Sequence, residues 1–226
     1  MRFSVVILDL NGTLVDTLQD LTDALNDHLT ALGRPVLTSA HVAEWPGEHL
    51  RTLLKSALLA TGDVPTDLEI SAQLPGFRER YEMRLGAKAV LFAGIAEALE
   101  ELVRGGVKLA ILTNKPQAAS HRLVQQMGID KWFLFLMAGD GDVPRKPDPA
   151  GAEELMLRCG GDRNNTLLVG NSRIDRNTAR NAGIRCALVD HDGSKAAHGM
   201  GADYVLDGIA SLPLLVFGPA SGSFKI

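Results

Sequence analysis

Val5-Val6-Ile7-Leu8-Asp9-Leu10-Asn11-Gly12-Thr13-Leu14-Val15-Asp16-Thr17 is the stretch that decides the fold of this chain. Val5 to Leu8 form an apolar, β-rich run that ends on an acid, Asp9. A run without alternation reads as a strand buried on both faces, as in a parallel sheet. Gly12 then allows a sharp turn. The C-terminal end of a parallel strand is where open α/β sheets place their chemistry.

Working outward, short apolar runs alternate with longer helical patterns. Val5 to Leu8, Lys108 to Leu112, Phe133 to Met137, Thr166 to Val169, Arg185 to Val189 and Tyr204 to Leu206 read as strands. All but the first two are joined by helix-sized segments. The expected architecture is therefore an α/β, Rossmann-like, parallel doubly wound sheet. Between Leu8 and Lys108 lies far more chain than one crossover needs, so an inserted domain is expected there. Its apolar spacing is helical: Leu18, Leu21, Leu25, Leu29 and Leu32 share one face, and Gly33 with Pro35 ends that helix. Further helices are expected over 40–45, 48–61 and 74–85, the last with Pro75 near its start. The division read from these breaks is a core of residues 1–15 and 91–226 and a helical insert of residues 16–90.

Composition narrows the function. The chain has 226 residues and a formal net charge of −4, with no basic block, so nucleic acid is not an expected partner. No apolar run reaches the length of a membrane span. Met1-Arg2-Phe3-Ser4 runs straight into the first strand, which reads as no secretory leader. Cys159 and Cys186 are the sole cysteines, so a reducing, cytoplasmic location is expected. The six histidines lack zinc-ligand spacing.

Four strand ends carry residues fit for chemistry. The first gives Asp9, Asn11, Gly12 and Thr13. The second gives Thr113-Asn114-Lys115-Pro116. After the third strand comes Arg145-Lys146-Pro147-Asp148-Pro149, and the fourth gives Gly170-Asn171-Ser172-Arg173-Ile174-Asp175. In a doubly wound sheet these ends meet along one edge. Carboxylates, a hydroxyl and a lysine there suit an anion bound with a hard cation. Each piece also has a structural reading: a turn acid at Asp9, a helix cap at Thr113-Asn114, a solvated lysine at Lys146, a first-turn acid at Asp175.

Together the four segments resemble the haloacid dehalogenase superfamily of phosphatases, in its phosphoglycolate phosphatase type. That family opens on Asp-x-Asp-Gly-Thr-Leu-x-Asp and continues with Thr-Asn-Lys-Pro, Lys-Pro-x-Pro and Gly-Asp-Ser-x-x-Asp. The likeness spans nearly the whole chain and includes the place of the helical insert, a cap over the site. It implies that Asp9 attacks phosphorus, forming an aspartyl-phosphate. Thr113 and the amides around Gly12 and Asn114 would hold the phosphoryl oxygens, and Lys146 would offset charge. Mg2+ would be held by Asp9, the backbone carbonyl of Asn11, Asn171 and Asp175. The implied partner is a small phosphorylated metabolite, 2-phosphoglycolate first, acted on by a monomer or homodimer.

The chain departs from the pattern twice, from Asp to Asn. Position 11 is normally the acid that protonates the leaving oxygen, and Asn11 has no titratable proton. Position 171 is normally a magnesium ligand, and Asn171 offers a neutral amide oxygen. Three readings follow: a phosphatase of impaired activity, a silent protein that binds a phosphorylated ligand, or a metal-independent 2-haloacid dehalogenase. The phosphatase-type segments around Thr113 and Lys146 count against the last. In the insert, Trp45-Pro46-Gly47-Glu48-His49 stands where a substrate-reaching Gly-x-Gly loop is expected. Arg51 and Lys55, on the following helix, are expected on its solvated face.

Overall fold

The computed structural model describes residues 1–45, 50–191, 193 and 196–218, the side chain of 196 excepted. Pro46, Gly47, Glu48 and His49 lie outside the described residues, and so do residues 219–226. In chain order come β1 (Val5–Leu8), β2 (Val15–Asp16), α1 (Leu18–Ala31), α2 (Ser39–Ala43), α3 (Leu50–Thr61), α4 (Asp67–Arg84) and β3 (Val90–Leu91). Then follow α5 (Ile95–Arg104), β4 (Lys108–Leu112), α6 (Gln117–Gln126), β5 (Phe133–Met137), α7 (Ala150–Arg158) and β6 (Thr166–Gly170). The last are α8 (Arg173–Ala182), β7 (Arg185–Val189), β8 (Tyr204–Leu206) and α9 (Leu212–Phe217). Two compact units result: Met1–Val15 with Leu91–Ile226, and Asp16–Val90.

In the first unit, six of the eight strands found among the described residues form one parallel sheet in the order β5-β4-β1-β6-β7-β8, while β2 and β3 pair with each other. This is the doubly wound fold expected from the alternating pattern. β1 is central and buried along its whole length, which is why it reads as an unbroken apolar run. In register, Leu8 lies beside Ile111 of β4 and Val169 of β6. The residues that follow these strands therefore emerge at one edge. The order reverses between β1 and β6, the position at which such sheets bind ligands.

The second unit is helical. α1 packs chiefly against α4, with α3 beside them. Leu25, Leu29, Leu54, Ile70 and Phe77 are fully buried there. Helix α4 begins well before the expected start at 74. Thr66 and Glu69 form a reciprocal capping box that fixes its first turn, and Pro75 is accommodated inside the helix. The proline marks an interior position because the cap lies a full two turns upstream. Arg51 is tied to Asp67 at 3.2 Å and to Ser71 at 2.9 Å, and Lys55 is exposed. Among the described residues, no helix is long and apolar enough to cross a membrane.

Candidate active site

Asp9 directly follows β1, and its amide is held by the Val169 carbonyl at 2.9 Å. The chain then turns back on itself. Leu14 and Val15 donate to the Leu10 carbonyl at 2.9 and 3.0 Å, and Gly12 donates to Val15 at 2.8 Å. Gly12 has φ +80, and a Cβ at this position would lie 2.3 Å from Asn171 Nδ2. Both the backbone conformation and the close approach therefore require glycine. The Gly12 amide itself is committed to the turn, where it shapes the loop.

Lys146 reaches this edge from the loop between β5 and α7. It is buried, and its Nζ lies 2.6 Å from Asp9 Oδ1 and 2.6 Å from Asp175 Oδ1. Burial pushes the Asp9 carboxyl up to about 6; Lys146 pulls it down and Asp175 pushes it up. Burial alone would lower the Lys146 pKa, but the flanking Asp175 and Asp9 carboxylates overcome this and raise it. The lysine is thus held as an ammonium between two acids.

Asp175 is placed by α8. Ser172 is the N-cap of that helix, and Ser172 and Asp175 cap one another. Asp175 Oδ2 accepts from Ser172 Oγ at 2.7 Å, the Ser172 amide at 3.1 Å and the Asn171 amide at 3.3 Å. Both oxygens therefore have donors, one set by the loop and the other by Lys146. A Cβ on Gly170 would lie 2.3 Å from the Asp175 carboxyl carbon, so glycine makes room for this acid.

Thr113 follows β4 and is buried; its amide donates to Met137 at 3.0 Å and its Oγ1 accepts from the Lys115 amide at 3.2 Å. Asn114 plays a part that its motif does not reveal. Its Oδ1 accepts from the Lys146 amide and its Nδ2 donates to the Lys146 carbonyl, both at 2.9 Å. The side chain braces the lysine's backbone. Asn181 of α8 adds a second brace, donating to the Pro147 carbonyl at 2.9 Å. His191 lies outside the four segments, yet its ring bonds the Thr13 carbonyl at 2.9 Å and stacks on Phe92 with centroids 3.6 Å apart. Ser172-x-x-Asp175 was open to reading as a capping box; the Asn114, Asn181 and His191 contacts have no local signature.

The donors at this edge are all oxygen, which suits a hard cation. Asn171 Oδ1 takes part, accepting from Thr13 Oγ1 at 3.4 Å. Two carboxylates and an ammonium leave the site with little negative charge. Among the described residues, no three or more His, Cys, Asp or Glu side chains come together as a metal cluster. Positions 11 and 171 carry asparagine, whose amide groups add no charge to this edge. The residues present fit a weakly held cation of the magnesium type.

The fold and this edge define a doubly wound α/β protein with a carboxylate, a lysine and a hydroxyl gathered where its strand order reverses. The family model for haloacid dehalogenase-like hydrolases matches residues 6–189. Phosphoglycolate phosphatase 1 of Pseudomonas aeruginosa is 35% identical over 83% of this chain and 69% of its own length. The plasmid phosphoglycolate phosphatase of Cupriavidus necator is 32% identical over 94% of this chain and 93% of its own. The crystal structure of a predicted phosphoglycolate phosphatase from Haemophilus somnus superposes with a TM-score of 0.81 at 26% identity, over 95% of this chain and 98% of that one. The chain belongs to the haloacid dehalogenase-like hydrolase family, and its relatives are of the phosphoglycolate phosphatase type.

Proposed function

We propose that this chain hydrolyses a small phosphomonoester through an aspartyl-phosphate on Asp9, with 2-phosphoglycolate the leading candidate substrate. The observation that carries this reading is the buried Lys146 ammonium, 2.6 Å from both Asp9 and Asp175. It holds a carboxylate in place and offsets the charge that gathers when an anionic phosphoryl group approaches. The names of the relatives support the substrate class. With its pKa pushed up to about 6, Asp9 is chiefly ionised at neutral pH and ready to attack. Its oxygen bonds to phosphorus as the ester P–O bond breaks, and the leaving oxygen departs with the bonding pair and takes its proton from solvent water, since Asn11 supplies none. Water then takes the phosphoryl group and Asp9 returns as a carboxylate. In this reading Thr113 and the Asn114 backbone hold the phosphoryl oxygens.

Mg2+ is the cation proposed, held by Asp9, the Asn11 carbonyl, Asn171 and Asp175; when bound, it neutralises phosphoryl charge. Asn11 has no proton to give the leaving oxygen, a loss worth ~10²–10⁴-fold in rate. The same two residues, Asn11 and Asn171, favour a second reading, in which the chain binds a phosphorylated ligand without turnover. A panel of small phosphoesters with Mg2+ separates the two. The chain is assayed beside Asn11→Asp, Asn171→Asp and the double change. Slow turnover that the double change accelerates supports the first reading. Ligand binding without turnover in the original chain supports the second. A double change with no gain sinks the roles given to both positions.

A further inference from the structure

We propose that the groove at the N-terminal edge of the sheet binds an anion carrying two or more linked phosphate groups. The groove lies at the strand edge opposite Asp9. Arg2 leads into β1, Arg185 opens β7 and Tyr204 opens β8. Its volume is about 620 Å3, within the range of small-molecule sites. Arg2, Arg163, Arg176, Arg180 and Arg185 line it, against one lining carboxylate, Asp203. The whole chain has a net charge of −4, so this surface inverts the molecule's overall balance.

Internal partners offset part of that charge. Asp203 pairs with Arg185, and Glu153 pairs with Arg163 at 3.1 Å. Arg176 bonds neutral oxygens, the Gly201 carbonyl at 3.2 Å and Asn177 Oδ1 at 3.0 Å. Arg180 lies in the last turn of α8, whose terminal carbonyls supply about half a negative charge. Arg2 lies over the rings of Tyr204 at 4.9 Å and Phe3 at 5.6 Å, which hold its guanidinium without neutralising it. An excess of about two and a half positive charges remains after these offsets. Crowded cations in a concave site repel one another, and a bound anion relieves this. Guanidinium forks match phosphate oxygens two at a time. Arginines drawn from four chain segments around one cavity suit linked phosphates better than a single one.

The test is calorimetric titration of the full chain with inorganic tripolyphosphate, ATP and orthophosphate in separate arms. The Arg2→Gln/Arg180→Gln variant alters two guanidiniums that have no carboxylate partner among the described residues, and its thermal melt checks that it folds. Thr113→Val reports any binding at the Asp9 edge. The expected result is one tripolyphosphate site, with orthophosphate about tenfold weaker or more. Affinity should fall about tenfold or more in the arginine variant and hold in Thr113→Val. ATP binding more tightly than tripolyphosphate assigns a nucleotide; equal affinities assign the oligophosphate chain itself. Unchanged affinity in the arginine variant, loss in Thr113→Val, or no heat with any oligophosphate overturns the proposal.

Discussion

Lys146 shows how much one buried side chain can decide. Its ammonium is the counter-charge for Asp9 and Asp175 together, so removing it leaves two buried carboxylates facing each other. Breaking such a pair costs about 3–5 kcal/mol, because the remaining charge stays buried without its partner. Lys146→Met should therefore lower stability by that amount in urea titration and abolish any turnover. A variant as stable as the parent would show that the ion triad is not formed in solution. Asn114 acts on the same lysine through its backbone. Asn114→Ala removes two hydrogen bonds to a buried segment and should cost about 1–3 kcal/mol. The residue types at the strand ends were legible in the sequence because acids, a hydroxyl and a lysine follow apolar, β-rich runs there. The braces were not. Asn114 meets Lys146, and Asn181 meets Pro147, across more than thirty residues of chain, a separation with no periodic signature.

At the scale of elements, α8 joins structure to the site through a single cap. Ser172 begins the helix and also holds the oxygen of Asp175 that Lys146 does not use. Ser172→Ala should cost about 1 kcal/mol as a lost cap, and should reduce turnover more than that stability loss alone explains. Equal turnover at the same temperature would confine Ser172 to the helix. A buried acid need not be chemical, as α1 shows. Asp20 is buried there to receive the Gly86 and Lys88 amides at 2.6 and 2.7 Å. The same helix carries a pH-sensitive weakness. His28 is buried against Phe77, with ring centroids 6.0 Å apart, and neither ring nitrogen has a well-formed hydrogen bond among the described residues. Burial lowers its pKa, Arg80 lowers it further, and Gln73 offsets this a little. Protonation therefore favours the unfolded chain. The stability this neutral ring retains is present above the ordinary histidine pKa and is lost as pH falls below it. His28→Leu should melt higher than the parent, by a margin that widens from pH 7.5 to pH 5.5, about one unit either side of that pKa. A margin constant with pH would remove His28 as the cause.

Across the whole molecule, β1 sits at the centre because its residues can be buried on both faces and nowhere else. Its unbroken apolar run made that legible, and the helix-sized spacers made a parallel sheet legible. The strand order was not written in any one segment. It depends on which side of β1 each crossover falls, a matter of packing between distant parts of the chain. The start of α4 was hidden for a different reason, since Pro75 is a strong local breaker and the capping box that overrides it lies upstream. The long gap after β1 has its own interior. Leu25, Leu29, Leu54, Ile70 and Phe77 are buried within Asp16–Val90, and Arg84 grips Asp27 through two hydrogen bonds of 2.7 and 2.9 Å. A unit with its own core can fold alone. Residues 16–90 expressed by themselves should give a helical circular dichroism spectrum and a cooperative melt. At this size a single core supplies no more than about 3–5 kcal/mol, so the melt should come well below that of a large domain. A featureless, non-cooperative melt would show that these helices need the rest of the chain to hold their core.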